Sequence, residues 1–149
     1  MSLITVAIPT YNRSHLLQET LTSVLNQTWK DFTILVVDNH SSDDTEKVVQ
    51  AFDDPRIRYH RHAKNIGMKA NWWFALTEPQ GRYVAFVNDD DLWKPNHLER
   101  AVKALESHPS ANLYSCTVEA FGDSTEVHRP WWAEGCSQQV VVSPQESAI

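Results

Sequence analysis

The chain opens on an apolar run from Leu3 to Ile8, with Thr5 inside it, halted by Pro9. Such an unbroken run predicts a strand covered on both faces. Ser14 stands as an N-cap, and Leu17, Leu21, Val24 and Leu25 recur at helical spacing as far as Asn26. Phe32 to Val37 repeats the buried-strand pattern and ends at Asp38-Asn39. Asp43 and Glu46 then have capping-box spacing, Val48, Val49 and Phe52 form an apolar stripe, and Asp53-Asp54-Pro55 stops the helix. From Ile57 to His62 side chains alternate, which predicts a half-exposed strand near a sheet edge. Asn65-Ile66-Gly67 reads as a turn, and Met68 to Leu76 as a helix. Trp72, Trp73 and Phe74 cannot share one helix face, so core packing on two sides is expected. Tyr83 to Val87 predicts another strand buried on both faces, and Pro95 the first residue of a helix carrying Leu98, Ala101, Val102 and Leu105. Pro109 ends it, and Asn112 to Phe121 alternates loosely as a further strand. Beyond Gly122 the pattern weakens: Trp131-Trp132 is a buried anchor or an exposed patch, and Val140 to Val142 a short strand-like run.

Strand and helix alternating in this way predict an α/β fold, a single domain with a mostly parallel open sheet and right-handed crossovers. Ligands of such sheets bind at the carboxyl ends of the strands. Three polar clusters fall there: Thr10 to Arg13, Asp38-Asn39, and Asn88 to Asp91. Neither a G-x-G-x-x-G nor a Walker A sequence is present, which weakens dinucleotide and P-loop readings. The net charge of -6 over 149 residues opposes nucleic acid or an anionic membrane as a general partner, since both require a basic surface. Two cysteines, Cys116 and Cys136, make no disulfide framework or close ligand pair, so a reducing cytosol is expected. No apolar run approaches the roughly 18 residues of a membrane span, and Met1 leads into a strand rather than a signal peptide, so the expected location is cytoplasmic.

The chemistry concentrates at Asp89, Asp90 and Asp91. Adjacent carboxylates repel, and they are held together when solvated, when their pKa values shift, or when they share a cation. Hard oxygen ligands at a strand end point to Mg²⁺ or Mn²⁺. The alternative is a solvated acidic loop that caps the helix near Pro95. His60 and His62 point to one face of their strand without a third ligand nearby, so they are expected to be a packed or solvated pair.

Four blocks carry a resemblance. They are Ile8-Pro9-Thr10-Tyr11-Asn12-Arg13, Val36 through Asp43, Asn65-Ile66-Gly67 with Asn71, and Gly81 through Asp91 to Pro95. In this order and spacing they resemble family 2 of the glycosyltransferases, the nucleotide-sugar enzymes with the GT-A fold. The resemblance implies a nucleotide-sugar-binding core over residues 1–121 and, over 122–149, the start of an acceptor-side region. It implies that Pro9, Tyr11, Asn12 and Arg13 border the nucleotide, with Tyr11 against the base. Asp38 or Asn39 would meet the base edge, and Asn65, Gly67, Lys69 and Asn71 the ribose and diphosphate. Asp89 would take ribose or sugar hydroxyls, and Asn88 would belong to the nucleotide-sugar-binding set. Asp90 would ligate the cation and act in catalysis, with Asp89 as the second metal candidate.

A nucleoside diphosphate entering an acidic pocket needs a divalent cation to bridge carboxylate and phosphate oxygens. The implied activity is metal-dependent, inverting transfer of a sugar from a nucleoside-diphosphate donor, UDP favoured, to a glycan or lipid-linked acceptor. Asn39 and Asn88 depart from the family, which commonly has acids there, so the nucleotide base is open. No residue is marked as general base, although Glu119, Asp123 and Glu134 lie in the right region. The rival readings are a donor-binding module that transfers nothing and a sugar-1-phosphate nucleotidyltransferase. The latter needs a Gly-rich phosphate loop that Pro9 to Arg13 lacks. The C-terminal aromatic region is a candidate homo-oligomer contact.

Overall fold

The computed structural model describes residues 2–79, 81–116 and, as backbone, 140–142. Two compact units divide the chain, residues 1–97 and 98–149. In the first, β1 (Ile4–Thr10), α1 (Ser14–Leu25), β2 (Phe32–Asp38), α2 (Thr45–Ala51), β3 (Ile57–Arg61), α3 (Met68–Thr77) and β4 (Tyr83–Phe86) follow in strict alternation. The four strands form one sheet in the order β3-β2-β1-β4, and every pairing is parallel.

The two continuous apolar runs occupy the middle of this sheet. Every residue of β1 is buried, as is every residue of β2 except half-buried Thr33. Val6, Ile8, Ile34, Val36 and Val37 are fully inaccessible, each contributing roughly 1.5–3 kcal/mol of burial free energy. From α1, Leu17, Leu21 and Val24 add to the buried set at the predicted spacing. Among the described residues β3 lies at an edge, in keeping with its alternating sequence.

Four local expectations are corrected. β4 is not buried on both faces: among the described residues it pairs with β1 alone, and Val84 is 40% exposed. An apolar run fits an edge strand as readily as an inner one when its outer side is uncovered. Ser14 does not cap α1. It is the first helical residue, and its backbone N–H donates to Asp43 Oδ2 at 2.9 Å. The same carboxyl accepts from Thr45 N and Thr45 Oγ1, so Asp43 ties together the starts of α1 and α2. Glu46, expected to complete a capping box, instead accepts from Gln50 Nε2. Finally, Trp72 and Trp73 are 40% and 70% exposed rather than core residues. The buried line of α3 is Asn71 and Ala75, one turn apart, with Phe74 reaching the cluster of Ala7, Leu35 and Val37.

The second unit contains α4 (His97–Ser107) after its first residue, with Leu98, Val102 and Ala104 buried. The helix begins at His97 rather than Pro95. β5 (Leu113–Ser115) pairs antiparallel with β6 (Val140–Val142), Leu113 opposite Val142. The predicted strand is thus shorter than Asn112 to Phe121 over its described part. Trp131, Trp132, Glu119, Asp123 and Glu134 lie outside the described residues. Among those described, no helix is long and apolar enough to cross a membrane.

Candidate functional site

The sheet order reverses direction at β1: β2 and β3 extend to one side and β4 to the other. Open α/β sheets form a crevice beyond the strand ends at such a point. Here a cavity of about 550 Å³ opens there. Its wall takes Pro9 and Thr10 from the end of β1, Tyr11 and Arg13 from the loop after it, and Asn39 from just past β2. Asn65, Gly67, Met68, Asn71 and Trp72 come from the approach to α3 and its first turns, and Asn88, Asp89 and Asp90 from the turn after β4.

Strand register brings the acids to the mouth of β1. Phe86 pairs with Ala7 and the Val87 N–H donates to the Ala7 oxygen at 3.1 Å, while β1 continues to Thr10. The acidic turn therefore arrives beside Thr10 and Arg13. Thr10 Oγ1 donates to Asp89 Oδ2 at 2.7 Å, and Arg13 Nη1 lies 3.3 Å from Asp89 Oδ1 and 2.8 Å from Asp90 Oδ2. Asp89 is only 5% exposed. Burial pushes its carboxyl above the usual carboxylate range, against the opposing pull of the Thr10 hydroxyl and the Arg13 charge. Asp91 serves the turn itself, accepting from Asn88 Nδ2 at 2.9 Å. Asn88 Oδ1 is buried without a hydrogen-bond partner in the cavity wall.

α1 and the segment just after it hold this turn down through polar groups. Thr20 Oγ1 donates to the Asp91 backbone oxygen at 3.0 Å, and Ser23 Oγ accepts from Trp93 N. Gln27 Nε2 donates to the Lys94 oxygen at 2.9 Å, and Thr28 N to Pro95 O at 2.8 Å. Thr20 and Gln27 are fully buried.

The opposite wall rests on β2. Asp38 is fully buried and accepts from Ser41 N, Ser41 Oγ and the Tyr59 hydroxyl, with Arg61 Nε at 3.4 Å. Burial and the Asp38 carboxylate push the Tyr59 phenol far up. Asn39 joins two loops, donating Nδ2 to Asn65 Oδ1 at 3.0 Å and accepting from Ile66 N at 2.8 Å. Gly67 follows with φ +85°, open to glycine at little cost, and starts α3. Asn71 donates Nδ2 to the Val37 oxygen at 3.2 Å.

Of the residues nominated from sequence, Pro9, Tyr11, Arg13, Asn39, Asn65, Gly67, Asn71, Asn88, Asp89 and Asp90 meet around the one cavity. Asp38 lies beneath the wall with its oxygens occupied by protein partners. Asn12, at φ +54°, accepts from Ser42 N outside the lining, and Lys69 is exposed and not part of the lining. Thr10, Met68 and Trp72 line the cavity without having been singled out individually. Thr10 carries a signal in the sequence, being the polar residue at the end of a mostly apolar strand.

Among the described residues no group of three or more His, Cys, Asp or Glu gathers to hold a metal. Yet Asp89 Oδ1 and Asp90 Oδ2 converge on one cationic atom, Arg13 Nη1. Two such oxygens fit Mg²⁺ or Mn²⁺ when phosphate and water complete the shell, because these ions are commonly held by one or two carboxylates and their substrate.

Known proteins resemble this chain in sequence and fold. Over 126 residues the chain is 40% identical to the GalNAc(5)-diNAcBac-PP-undecaprenol beta-1,3-glucosyltransferase of Campylobacter jejuni, covering 83% of this chain and 41% of that protein. It is 33% identical over 114 residues to the Escherichia coli UDP-Glc:alpha-D-GlcNAc-diphosphoundecaprenol beta-1,3-glucosyltransferase WfgD, covering 75% of this chain and 44% of that protein. The chain thus spans less than half the length of these curated relatives. The S. aureus TarS structure in complex with UDP-GlcNAc superposes with a TM-score of 0.70 at 26% identity, over 83% of this chain and 37% of that one. The mannosyltransferase PcManGT from Pyrobaculum calidifontis, in complex with GDP-Man and Mn2+, gives 0.70 at 28% identity, over 79% and 36%. With the Glycosyl transferase family 2 profile matching residues 5–146 and a parallel sheet whose strand ends meet in one cavity, the chain belongs to glycosyl transferase family 2.

Proposed function

We propose that this chain forms the donor site of a metal-dependent, inverting glycosyltransferase, which moves a sugar from a nucleoside diphosphate to an acceptor hydroxyl. One observation carries the reading: Asp89 and Asp90 aim two oxygens at a single cationic position in the cavity. A divalent ion bound there would bridge to the diphosphate and stabilise it as a leaving group.

The chain's own residues supply the rest. Tyr11, 45% exposed in the cavity wall, offers a ring face to a base. The unpartnered Asn88 Oδ1 offers an acceptor to a ribose or sugar hydroxyl. Arg13 brings positive charge to the same opening, where a diphosphate enters an acidic chain. In transfer, the acceptor oxygen bonds to the anomeric carbon as the bond to the diphosphate oxygen breaks, and the acceptor proton passes to a general base.

UDP as carrier is supported by the UDP-GlcNAc complex of TarS and the UDP-Glc in the name of WfgD. The relatives' names likewise support a diphosphoundecaprenol-linked sugar as acceptor and a beta product. Calorimetry of the whole chain tests the site. UDP should bind more tightly than UMP with Mn²⁺ present, and chelation should remove the preference. Equal affinity for UDP and UMP in Mn²⁺ would overturn the bridging role. Incubation with UDP-glucose, Mn²⁺ and a lipid-linked sugar then separates transfer from the module reading, which predicts binding with neither transfer nor hydrolysis.

A further inference from the structure

Behind the cavity wall lies a histidine pair that the donor site does not use. His60 and His62 stand on and just after β3, with ring centroids 4.8 Å apart. Phe74 of α3 stacks on His60 at 4.5 Å and meets His62 edge-on at 4.9 Å. Two polar atoms here are buried without a partner of full hydrogen-bond geometry, His62 Nε2 and Asn71 Oδ1. Each is the complement the other needs, and the Asn71 side chain acts on the His62 ring as a hydrogen-bonding neighbour.

The proton positions follow from the surroundings. Asn71 Nδ2 is committed to the Val37 oxygen, so Oδ1 is the atom left to accept from the neighbouring imidazole. His62 Nε2 must then carry the proton, leaving Nδ1 as acceptor. His60 Nε2 lies 3.4 Å from that Nδ1 and completes the relay as donor. We propose that His62 is a positioning residue: its Nε2–H, backed by His60, fixes the Asn71 carboxamide and so sets the first turn of α3 as a wall of the donor cavity. Asn71 is 3% exposed, lines the cavity and donates its backbone N–H to the Gly67 oxygen, which links the Asn65-to-Gly67 loop to the same anchor.

This relay works with a neutral His62. A second proton would sit on Nδ1 and oppose the His60 N–H. The titratable groups facing His62 are His60 on β3, Asp38 at the end of β2, and His40, whose Nδ1 lies 3.0 Å from the His62 backbone oxygen. α3 faces it with uncharged Asn71 and Phe74. Burial and His60 lower the His62 pKa, while Asn71 and Asp38 act the other way.

The inference rests on the donor reading above, so UDP binding by the wild-type chain with Mn²⁺ is the control: its absence defeats that reading, not this one. Given binding, His62→Leu, which leaves Asn71 Oδ1 without a donor, should weaken UDP about tenfold. His62→Gln places an amide N–H where Nε2–H stood and should bind within about twofold of wild type. Wild-type affinity should fall from pH 7.5 to pH 5.5 more steeply than that of His62→Gln; nucleotide protonation is common to both and cancels. Nitrogen NMR of the wild-type histidines gives a readout independent of the variants' folding and should show His62 as the Nε2–H tautomer. An Nδ1–H tautomer, unchanged affinity in His62→Leu, or His62→Gln as weak as His62→Leu would each overturn the role.

Discussion

Arg13 Nη1 spans Asp89 and Asp90, 3.3 Å from one carboxylate and 2.8 Å from the other, at the position where their oxygens converge. The cavity thereby carries its own cation, which offsets the repulsion between adjacent acids. A metal ion must compete with this guanidinium. Because Arg13 and Asp90 are 49% and 44% exposed at their side chains, solvent screens the pair to roughly 0.2–1 kcal/mol. Arg13→Gln should accordingly raise Mn²⁺ affinity in the absence of nucleotide by about two- to fivefold. Electron paramagnetic resonance of free Mn²⁺ measures this, and an unchanged or weaker affinity would count against competition at this position.

Asp90→Asn removes one of the two converging charges from an exposed side chain. Metal-dependent UDP binding should be lost while the thermal unfolding midpoint stays within about 2 °C, as for most surface substitutions. Undiminished Mn²⁺-dependent affinity in calorimetry would take Asp90 out of the metal role.

Asp89 is the opposite case, a buried acid held against its own desolvation. Its folded pKa lies above the unfolded value of 3.8, so its protonated form favours the fold below that value, and this contribution is lost as pH rises through the folded pKa. At pH 7 the ionised group costs stability. Asp89→Asn should unfold at a higher temperature than wild type at pH 7, with the difference shrinking toward pH 4. Calorimetric scans at both values check this, and a gain that grows on acidification would contradict the sign.

Thr20 tests the clamp on the acidic turn. Thr20→Val keeps the shape and deletes the bond to the Asp91 oxygen, at an expected cost of about 1–3 kcal/mol for the oxygen left unpaired. UDP affinity should fall with it, because the turn carrying Asp89 and Asp90 is less fixed. Urea unfolding alongside calorimetry separates the two effects, and a stable variant with full affinity would show the clamp to be dispensable.

Gly81 precedes β4 where backbone approaches backbone. A Cβ there would lie 2.9 Å from Thr5 N and Tyr83 O and 3.1 Å from Leu3 O. Gly81→Ala should destabilise by about 1–3 kcal/mol, since the main chain has to move to admit the methyl. A urea midpoint equal to wild type would refute that crowding.

Much of the site was legible in the chain because polar residues at the ends of apolar runs have one place to go in a parallel sheet. Asn39, Asp89 and Asp90 were located by that rule alone. The rule failed where a residue's partners come from distant sequence. Asp38 stands with Asn39 as a candidate for the base edge, but Tyr59 and Arg61 of β3, with the nearby Ser41, surround it beneath the wall. Trp72 and Trp73 read as core because of their size, and only the packing of α3 on its Asn71 and Ala75 line leaves them exposed.

By itself the sequence determined the alternation of strands and helices, the parallel sheet and the level at which its polar ends gather, because local periodicity and chain direction fix all three. Tertiary structure alone decided which carboxylates face a cation and which are spent on the scaffold. It also decided that Thr20 of α1 and Gln27 just beyond it grip the acidic turn, and that His62 stands behind Asn71. These depend on distances between residues far apart in the chain, and no local pattern encodes such distances.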